Sequence, residues 1–141
     1  NSFVGALDVL LVFFLQAKLP LSGMPSWALG FALFFMQLGG IFGAKLVLVL
    51  KNLRYKKLFW FMTSLVILGI FLEHSGLYLI MTLGGVISIL ADDILQIRTN
   101  SILQDMFPSE QRATLVSIEC FTFSVLMIVL SPLAGLFFEI W

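Results

Sequence analysis

Five long apolar runs, separated by short polar breaks, occupy most of this 141-residue sequence. A helix that crosses the hydrocarbon core of a bilayer needs roughly 20 apolar residues, because each residue adds only ~1.5 Å. Strands of a membrane barrel would instead be about ten residues long with strict alternation, and none of the runs alternates in that way. We therefore predict an all-α integral membrane protein, a single membrane domain that forms a bundle of five transmembrane helices. The predicted spans are 1–17, 27–50, 57–73, 77–97 and 111–138.

The composition agrees with a protein whose main partner is the lipid bilayer. Hydrophobic residues make up 60% of the chain and charged residues 11%, whereas about a quarter of the residues in soluble proteins are charged. A chain this short cannot hide so much apolar surface in a water-soluble core. The formal net charge of zero predicts no nucleic-acid partner. The single cysteine excludes a disulfide within the chain.

The first run is short for a spanning helix, and it has neither a basic leader nor a small-residue cleavage site. We interpret it as a transmembrane helix whose beginning is missing, and not as a signal peptide. The prolines Pro20 and Pro25 lie on either side of Ser22-Gly23. Because proline removes a helical hydrogen bond, we expect residues 18–26 to form the first loop.

Lysine and arginine predict the orientation, since cytoplasmic loops carry more of them than external loops. The loop between the second and third runs has four basic residues, and the connector before the fifth run is bordered by Arg98 and Arg112. The loop after the first run has only Lys18, and the loop after the third run has none. For a multi-pass protein of the cell (plasma) membrane, we predict cytoplasmic loops at 51–57 and 98–110 and external loops at 18–26 and 73–76.

A few charged side chains fall inside the apolar runs, where each costs about 2.5–3.5 kcal/mol unless it finds a partner or water. The carboxylates that are candidates for coupling to a substrate or an ion are Asp8, Asp92, Asp93 and Glu119. One interpretation is that Lys45 forms an ion pair with one of the last three. The other is that at least one carboxylate titrates as a proton or cation relay. Because adjacent helical residues point about 100° apart, we expect that Asp92 and Asp93 do not both face one cavity. The third run has no embedded charge.

Small residues recur at helical spacing in the second and fourth runs, and such faces let helices approach closely. They indicate either plain packing or an interface that slides in a moving protein. Pro132 should also bend the fifth helix, because it lacks a backbone donor. The candidate helix-packing residues are Gly39, Gly43, Gly84, Gly85, Pro132 and Gly135.

No spacing of histidine, cysteine and carboxylate residues is typical of a metal site. There is also no nucleophile with a neighbouring base and no phosphate-binding loop. We therefore expect no metal, no cofactor and no enzymatic activity.

Two short motifs flank the fifth run. Asn100 and Pro108-Ser109-Glu110-Gln111-Arg112-Ala113-Thr114 precede it, and Ser131-Pro132-Leu133-Ala134-Gly135 lies near its end. This stretch resembles the major facilitator superfamily of secondary transporters. In that family a cytoplasmic connector of the form N…P-x-E-x-R-A/G-T precedes the eleventh helix, which ends in a G/S-P-x-x-G step. The loop 51–57 departs from the family's glycine-aspartate-arginine signature, since it has no glycine and Asn52 occupies the place of the aspartate.

The resemblance implies that the five runs are helices seven to eleven of a twelve-helix protein, with the remaining helices of the same transporter as partners. In the family, helices seven and ten line the central cavity, eight and eleven face the other half, and nine is peripheral. Asp8 and Asp92 or Asp93 would then be cavity residues, and Glu119 would lie between the halves. The cytoplasmic gating connector would comprise Asn100, Pro108, Glu110 and Arg112.

We therefore expect a secondary active transporter that works by alternating access, with proton-coupled efflux of a small hydrophobic compound as its activity. The alternative is a non-transporting five-helix membrane protein, truncated or stand-alone, that binds a partner through its glycine faces. The fold alone does not choose a substrate, since one fold hosts many functions.

Overall fold

The computed structural model describes residues 2–140, and this part of the chain is a bundle of five α-helices. All five are long and apolar enough to cross a membrane, and the described residues contain no β-strand. The predicted all-α class and the number of helices are confirmed. The helices are α1 Ser2–Leu21, α2 Ser26–Leu50, α3 Tyr55–Glu73, α4 Tyr78–Met106 and α5 Ser109–Ile140.

Helix α1 continues past the point where the first loop was expected. Pro20 lies inside its last turn, so the prediction of a loop from residue 18 is wrong for 18–21. The helix ends in a Schellman motif: Met24 N donates to the oxygen of Leu19 at 3.3 Å, and Gly23 N donates to the oxygen of Pro20 at 3.2 Å. Gly23 adopts the left-handed φ of 87° that this cap requires. Leu19 and Met24 pack in one buried apolar cluster, and this burial offsets the hydrogen bond that proline removes.

Helix α4 also extends further than expected, through Met106. The connector predicted at 98–110 is therefore helical over its first nine residues, and its only break within the described chain lies at Phe107 and Pro108. Phe107 has φ −116° and ψ 142°, the extended conformation that a following proline imposes. The polar residues 98–106 remain helical because nothing in that segment removes a helical hydrogen bond.

Helix α4 is the centre of the bundle, and it packs against α1, α2 and α3, whereas α5 packs along α1. Two buried apolar clusters hold these contacts together. The first joins α1, α2 and α4 and includes Leu15, Met36 and Ile89. The second joins α3 to α4 and includes Met62 and Ile94. Most side chains of α5 are exposed and suited to lipid.

Glycines lie where helices cross closely. A Cβ added at Gly39 would lie 2.7 Å from the carbonyl oxygen of Val86, and one at Gly43 would lie 2.9 Å from that of Leu90. These distances are far shorter than ordinary contacts of about 3.5 Å. The face predicted on the second run therefore packs directly on the backbone of α4.

The fourth helix uses its glycines in two directions. A Cβ at Gly84 would lie 2.7 Å from the oxygen of Gly69 on α3, and one at Gly85 would lie 2.8 Å from the Cε of Met36 on α2. Gly135 differs, because a Cβ there would meet no atom of the described chain within 4 Å. Pro132 and Gly135 are both exposed on α5, so their packing role stays a prediction.

Candidate functional site: a polar cleft between three helices

A cleft opens between α1, α2 and α4, with a volume of about 380 Å³. Its size falls within the range of small-molecule sites, about 300–1,000 Å³. Helix α1 supplies one wall, α4 the opposite wall, and α2 contributes Gln37. The residues that line the cleft are Gly5, Asp8, Val9, Val12, Phe13, Gln16, Gln37, Ile89, Asp92, Asp93 and Gln96.

The lining divides into a polar and an apolar part. Three carboxylates and three carboxamides supply the polar groups, while Val9, Val12, Phe13 and Ile89 supply the apolar ones. Among the described residues that line the cleft, none is lysine, arginine or histidine. The cleft therefore concentrates negative charge and hydrogen-bonding groups inside a set of membrane-length helices.

Asp92 is the most deeply buried of the three carboxylates, with only 3% of its surface exposed. Its Oδ2 accepts a hydrogen bond from Gln96 Nε2 at 3.0 Å. Its Oδ1 is buried and has no hydrogen-bond partner in the described part of the chain. A buried polar atom without a partner costs about 1–3 kcal/mol, so this oxygen is a strong candidate for contact with a ligand.

Asp93 lies on the same side of α4 as Asp92, but it is turned towards α2. A Cβ added at Gly40 would overlap its Oδ2, so the absence of a side chain at Gly40 makes room for this carboxylate. Gly5 has the same role opposite, where a Cβ would lie 2.7 Å from Gln96 Nε2. Two glycines thus open the space that the polar side chains occupy.

The expectation that Asp92 and Asp93 do not face one cavity is wrong, since both line the cleft. The divergence of about 100° between neighbouring helical residues still holds. Both side chains still reach one cleft because α1 and α2 flank the same side of α4. One aspartate points towards α1 and its neighbour points towards α2. Asp8 completes the group from α1.

Lys45 and Glu119 are not among the residues that line the cleft. Lys45 is exposed on α2, two residues and therefore about 200° beyond Gly43, which faces α4. The described part of the chain contains no ion pair between Lys45 and either aspartate of α4, so those two pairings are not supported, and a pair with Glu119 stays a prediction. Glu119 lies on α5, and its backbone oxygen accepts a hydrogen bond from Ser2 Oγ of α1 at 3.4 Å.

The segments predicted to be cytoplasmic lie at one end of the bundle. Arg98 Nη2 donates to the oxygen of Lys51 at 2.9 Å, and the hydroxyls of Tyr55 and Thr99 are 2.9 Å apart. These contacts tie the loop after α2 and the start of α3 to α4, about two turns before α4 ends. Of the gating candidates, Asn100 is half-buried on α4, whereas Pro108, Glu110 and Arg112 are exposed at the start of α5.

Within the described residues, no group of three histidine, cysteine or carboxylate side chains could hold a metal ion. Comparisons with protein-family models, curated proteins and solved structures give no match.

A buried carboxylate outside the cleft was missed by the sequence interpretation, which assigned Glu73 to a loop and treated the third run as free of embedded charge. Glu73 is the last residue of α3 and is 3% exposed. Its Oε1 accepts a hydrogen bond from Ser88 Oγ at 3.1 Å, while its Oε2 has no hydrogen-bond partner among the described residues. The sequence did contain a signal for this burial. Met62, Gly69 and Glu73 are spaced by seven and four residues, which places Glu73 on the same face of α3 as a glycine and a large apolar residue.

Glu73 also lines a second cavity of about 70 Å³ near the ends of α1 and α3, and the other residues around this space are Phe14, Lys18, Ser22, His74, Gly76 and Met81. The cavity is large enough for only a few water molecules. It is therefore a small polar pocket, separate from the larger cleft.

Removing the hydroxyl that binds Glu73 is expected to destabilise the bundle. In Ser88→Ala, Oε1 of Glu73 would lose its hydrogen bond, so neither carboxylate oxygen would have a partner among the described residues. The free energy of unfolding should fall by about 1–3 kcal/mol. The loss is measured as a lower midpoint of thermal unfolding of the protein in detergent. Ser64→Ala is the matched control, because its hydroxyl bonds only the oxygen of Trp60 in its own helix. Equal midpoints for the two variants would contradict the role of Ser88.

Proposed function

We propose that the protein is a secondary active transporter of the major facilitator type, which works by alternating access around the cleft between α1, α2 and α4. The observation that carries the proposal is the cluster of Asp8, Asp92 and Asp93 in that cleft. Charged groups inside membrane-spanning segments are expensive, and they mark substrate and ion pathways. Three carboxylates in one cleft are more than helix packing requires.

The position of the carboxylates agrees with what the family resemblance implies. Helices seven and ten of the family line the central cavity, and α1 and α4 occupy those positions in the order of the chain. All three cleft carboxylates lie on these two helices. α3, which corresponds to the peripheral ninth helix, contributes no residue to the cleft.

Two of the helix contacts are consistent with an internal repeat of three helices, which is a feature of such transporters. A repeat would match α1 with α4 and α2 with α5. In the repeat, α5 takes the place of α2 and α1 takes the place of α4. The contact between α2 and α4 should therefore have a counterpart between α1 and α5, and both contacts are present. The two helices of each pair run parallel. In the first pair, Gly39 lies against Val86 and Gly43 against Leu90. In the second pair, Ser2 contacts Glu119, and the later residues 7–11 lie beside 130–137.

Proton-coupled efflux of a small hydrophobic compound is part of the proposal. The cleft carboxylates are the groups that would exchange a proton, and Val9, Val12, Phe13 and Ile89 would contact the apolar part of a substrate. The alternative of an interaction module is less well supported. Its glycine faces would have to meet a partner, yet Gly39, Gly43, Gly84 and Gly85 already pack against helices of the same chain.

Alternating access is tested by the reactivity of one cysteine in the cleft. Val9→Cys, in a full-length protein whose Cys120 is replaced by serine, is expected to react with a membrane-impermeant maleimide from both faces. The measurement is labelling in right-side-out and inside-out vesicles. An Ile128→Cys control, on the exposed surface of α5, should stay unlabelled under lipid. Labelling of Val9→Cys from one face alone, or from neither, would contradict a transporter and favour the interaction module.

A further inference from the structure

We infer that the substrate of the cleft is a small organic cation, a protonated primary amine attached to an apolar body. The inference rests on the proposed function of the cleft as a transport site and specifies the chemistry of what it carries. It follows from the charge of the cleft, from one unpartnered oxygen and from the division of the lining into polar and apolar parts.

The charge of the cleft selects against anions. Asp8, Asp92 and Asp93 line it, and the described lining residues include no basic side chain to balance them. Lys45, the embedded lysine of α2, is exposed away from α4. A cation entering this space gains attraction from three carboxylates at reduced dielectric, whereas an anion is repelled by all three.

The unpartnered oxygen selects for a hydrogen-bond donor. Asp92 Oδ1 is buried without a hydrogen-bond partner within the described chain, although Oδ2 of the same carboxylate is bonded to Gln96. An alkylammonium group carries three donors and no acceptor. One of these donors can satisfy this oxygen, and the lining offers further acceptors for the others on Asp8, Asp93, Gln16 and Gln37.

The remainder of the lining selects an organic cation and not a bare metal ion. Within the described chain no three carboxylate, histidine or cysteine groups converge closely enough to hold a metal. The cleft instead provides about 380 Å³ with Val9, Val12, Phe13 and Ile89 along it. That volume and those side chains suit an aryl or alkyl body, which would bury apolar surface as its ammonium group meets Asp92.

Three ligands of nearly equal shape test the inference: phenethylamine in its protonated form, phenethyl alcohol and phenylacetate. They are titrated calorimetrically into the full-length protein in lipid nanodiscs. We expect the amine to bind at least about tenfold more tightly than the alcohol, a difference of about 1.4 kcal/mol, and phenylacetate to give no binding. Asp92→Asn should weaken amine binding at least about tenfold. Asp105→Asn should change it less than about twofold, because Asp105 is exposed at the end of the same helix, outside the cleft.

Equal affinity for amine and alcohol would overturn the inference, and so would amine binding that Asp92→Asn does not weaken. If Asp92→Asn fails to fold, Asp8→Asn provides the same test from the opposite wall, with the same expected loss. The outcome is separate from that of the proposed function. A protein with two-sided labelling of Val9→Cys but no preference for the amine is a transporter of another substrate class, whereas one-sided labelling removes the transporter itself.

Discussion

Replacing Gly84 with valine is expected to disrupt the packing of α3 on α4 and to cause the largest loss of stability of any single substitution considered. A Cβ at this position would lie 2.7 Å from the backbone oxygen of Gly69 and 3.0 Å from the backbone nitrogen of Glu73. Backbone atoms cannot rotate away as a side chain can, so the two helices must separate. Overpacking typically costs about 1–3 kcal/mol. A clash with backbone belongs at the upper end of that range, so a chain of this size should melt about 10 °C lower.

The measurement is thermal unfolding in detergent, followed by tryptophan fluorescence or by loss of the monodisperse peak in gel filtration. Gly30→Val is the matched control: Gly30 is also in a membrane-length helix, but a Cβ there would meet no atom within 4 Å in the described structure. It should melt within about 2 °C of the unsubstituted protein, since surface changes cost at most about 0.5 kcal/mol. If Gly84→Val melts as Gly30→Val does, α3 and α4 do not cross at Gly69 and Gly84.

Neutralising the cleft carboxylates is expected to abolish most transport. Asp8→Asn and Asp93→Asn should each reduce proton-driven flux of phenethylamine in proteoliposomes of the full-length protein at least about tenfold. At 4 Å and an effective dielectric constant of about 20, two unit charges attract by about 4 kcal/mol. Losing a third of that energy already weakens binding of the cation by a factor of about ten. The amide keeps the shape of the carboxylate, so the loss would report the charge and not the packing.

Glu119→Gln is informative beside these variants, because Glu119 was a candidate from the sequence but lies on α5, outside the cleft lining. We expect its flux to fall less than about twofold. Asp105→Asn, exposed near the end of α4, supplies the control for removal of a charge from the same helix. Loss of flux in Glu119→Gln with full flux in Asp8→Asn and Asp93→Asn would move the coupling site from the cleft to α5.

The helices and much of the cleft could be predicted from the sequence, because the energies that decide them depend on residues close together in the chain. The number of spanning helices follows from apolar length alone. The candidacy of Asp8, Asp92 and Asp93 follows from the cost of a charge in hydrocarbon, which depends on depth within a run. The face formed by Gly39 and Gly43 follows from spacing, because glycines four residues apart lie on one side of a helix.

The features that were missed depend on which helices are neighbours. Glu73 comes at the end of its run, where a carboxylate usually meets water, and the packing of α4 and α1 around the end of α3 buries it. Asp92 and Asp93 share a cleft because α1 and α2 lie on the same side of α4, which the angle between adjacent residues cannot reveal. Pro20 stays helical because the cap at Gly23 and the burial of Leu19 stabilise the last turn.

The continuity of α4 has a mechanical consequence. Its 29 residues extend for ~43 Å, well beyond a hydrocarbon core of ~30 Å, so one rigid rod joins the cleft to the connector before α5. Met106 lies ~21 Å along this rod from Asp92. A tilt of about 10° at the cleft would carry the far end through ~4 Å, while Arg98 and Thr99, nearer the pivot, would move about half as far or less. Helix α4 therefore has the geometry of a lever arm, in which a small tilt at the cleft becomes a larger displacement of the break at Phe107 and Pro108.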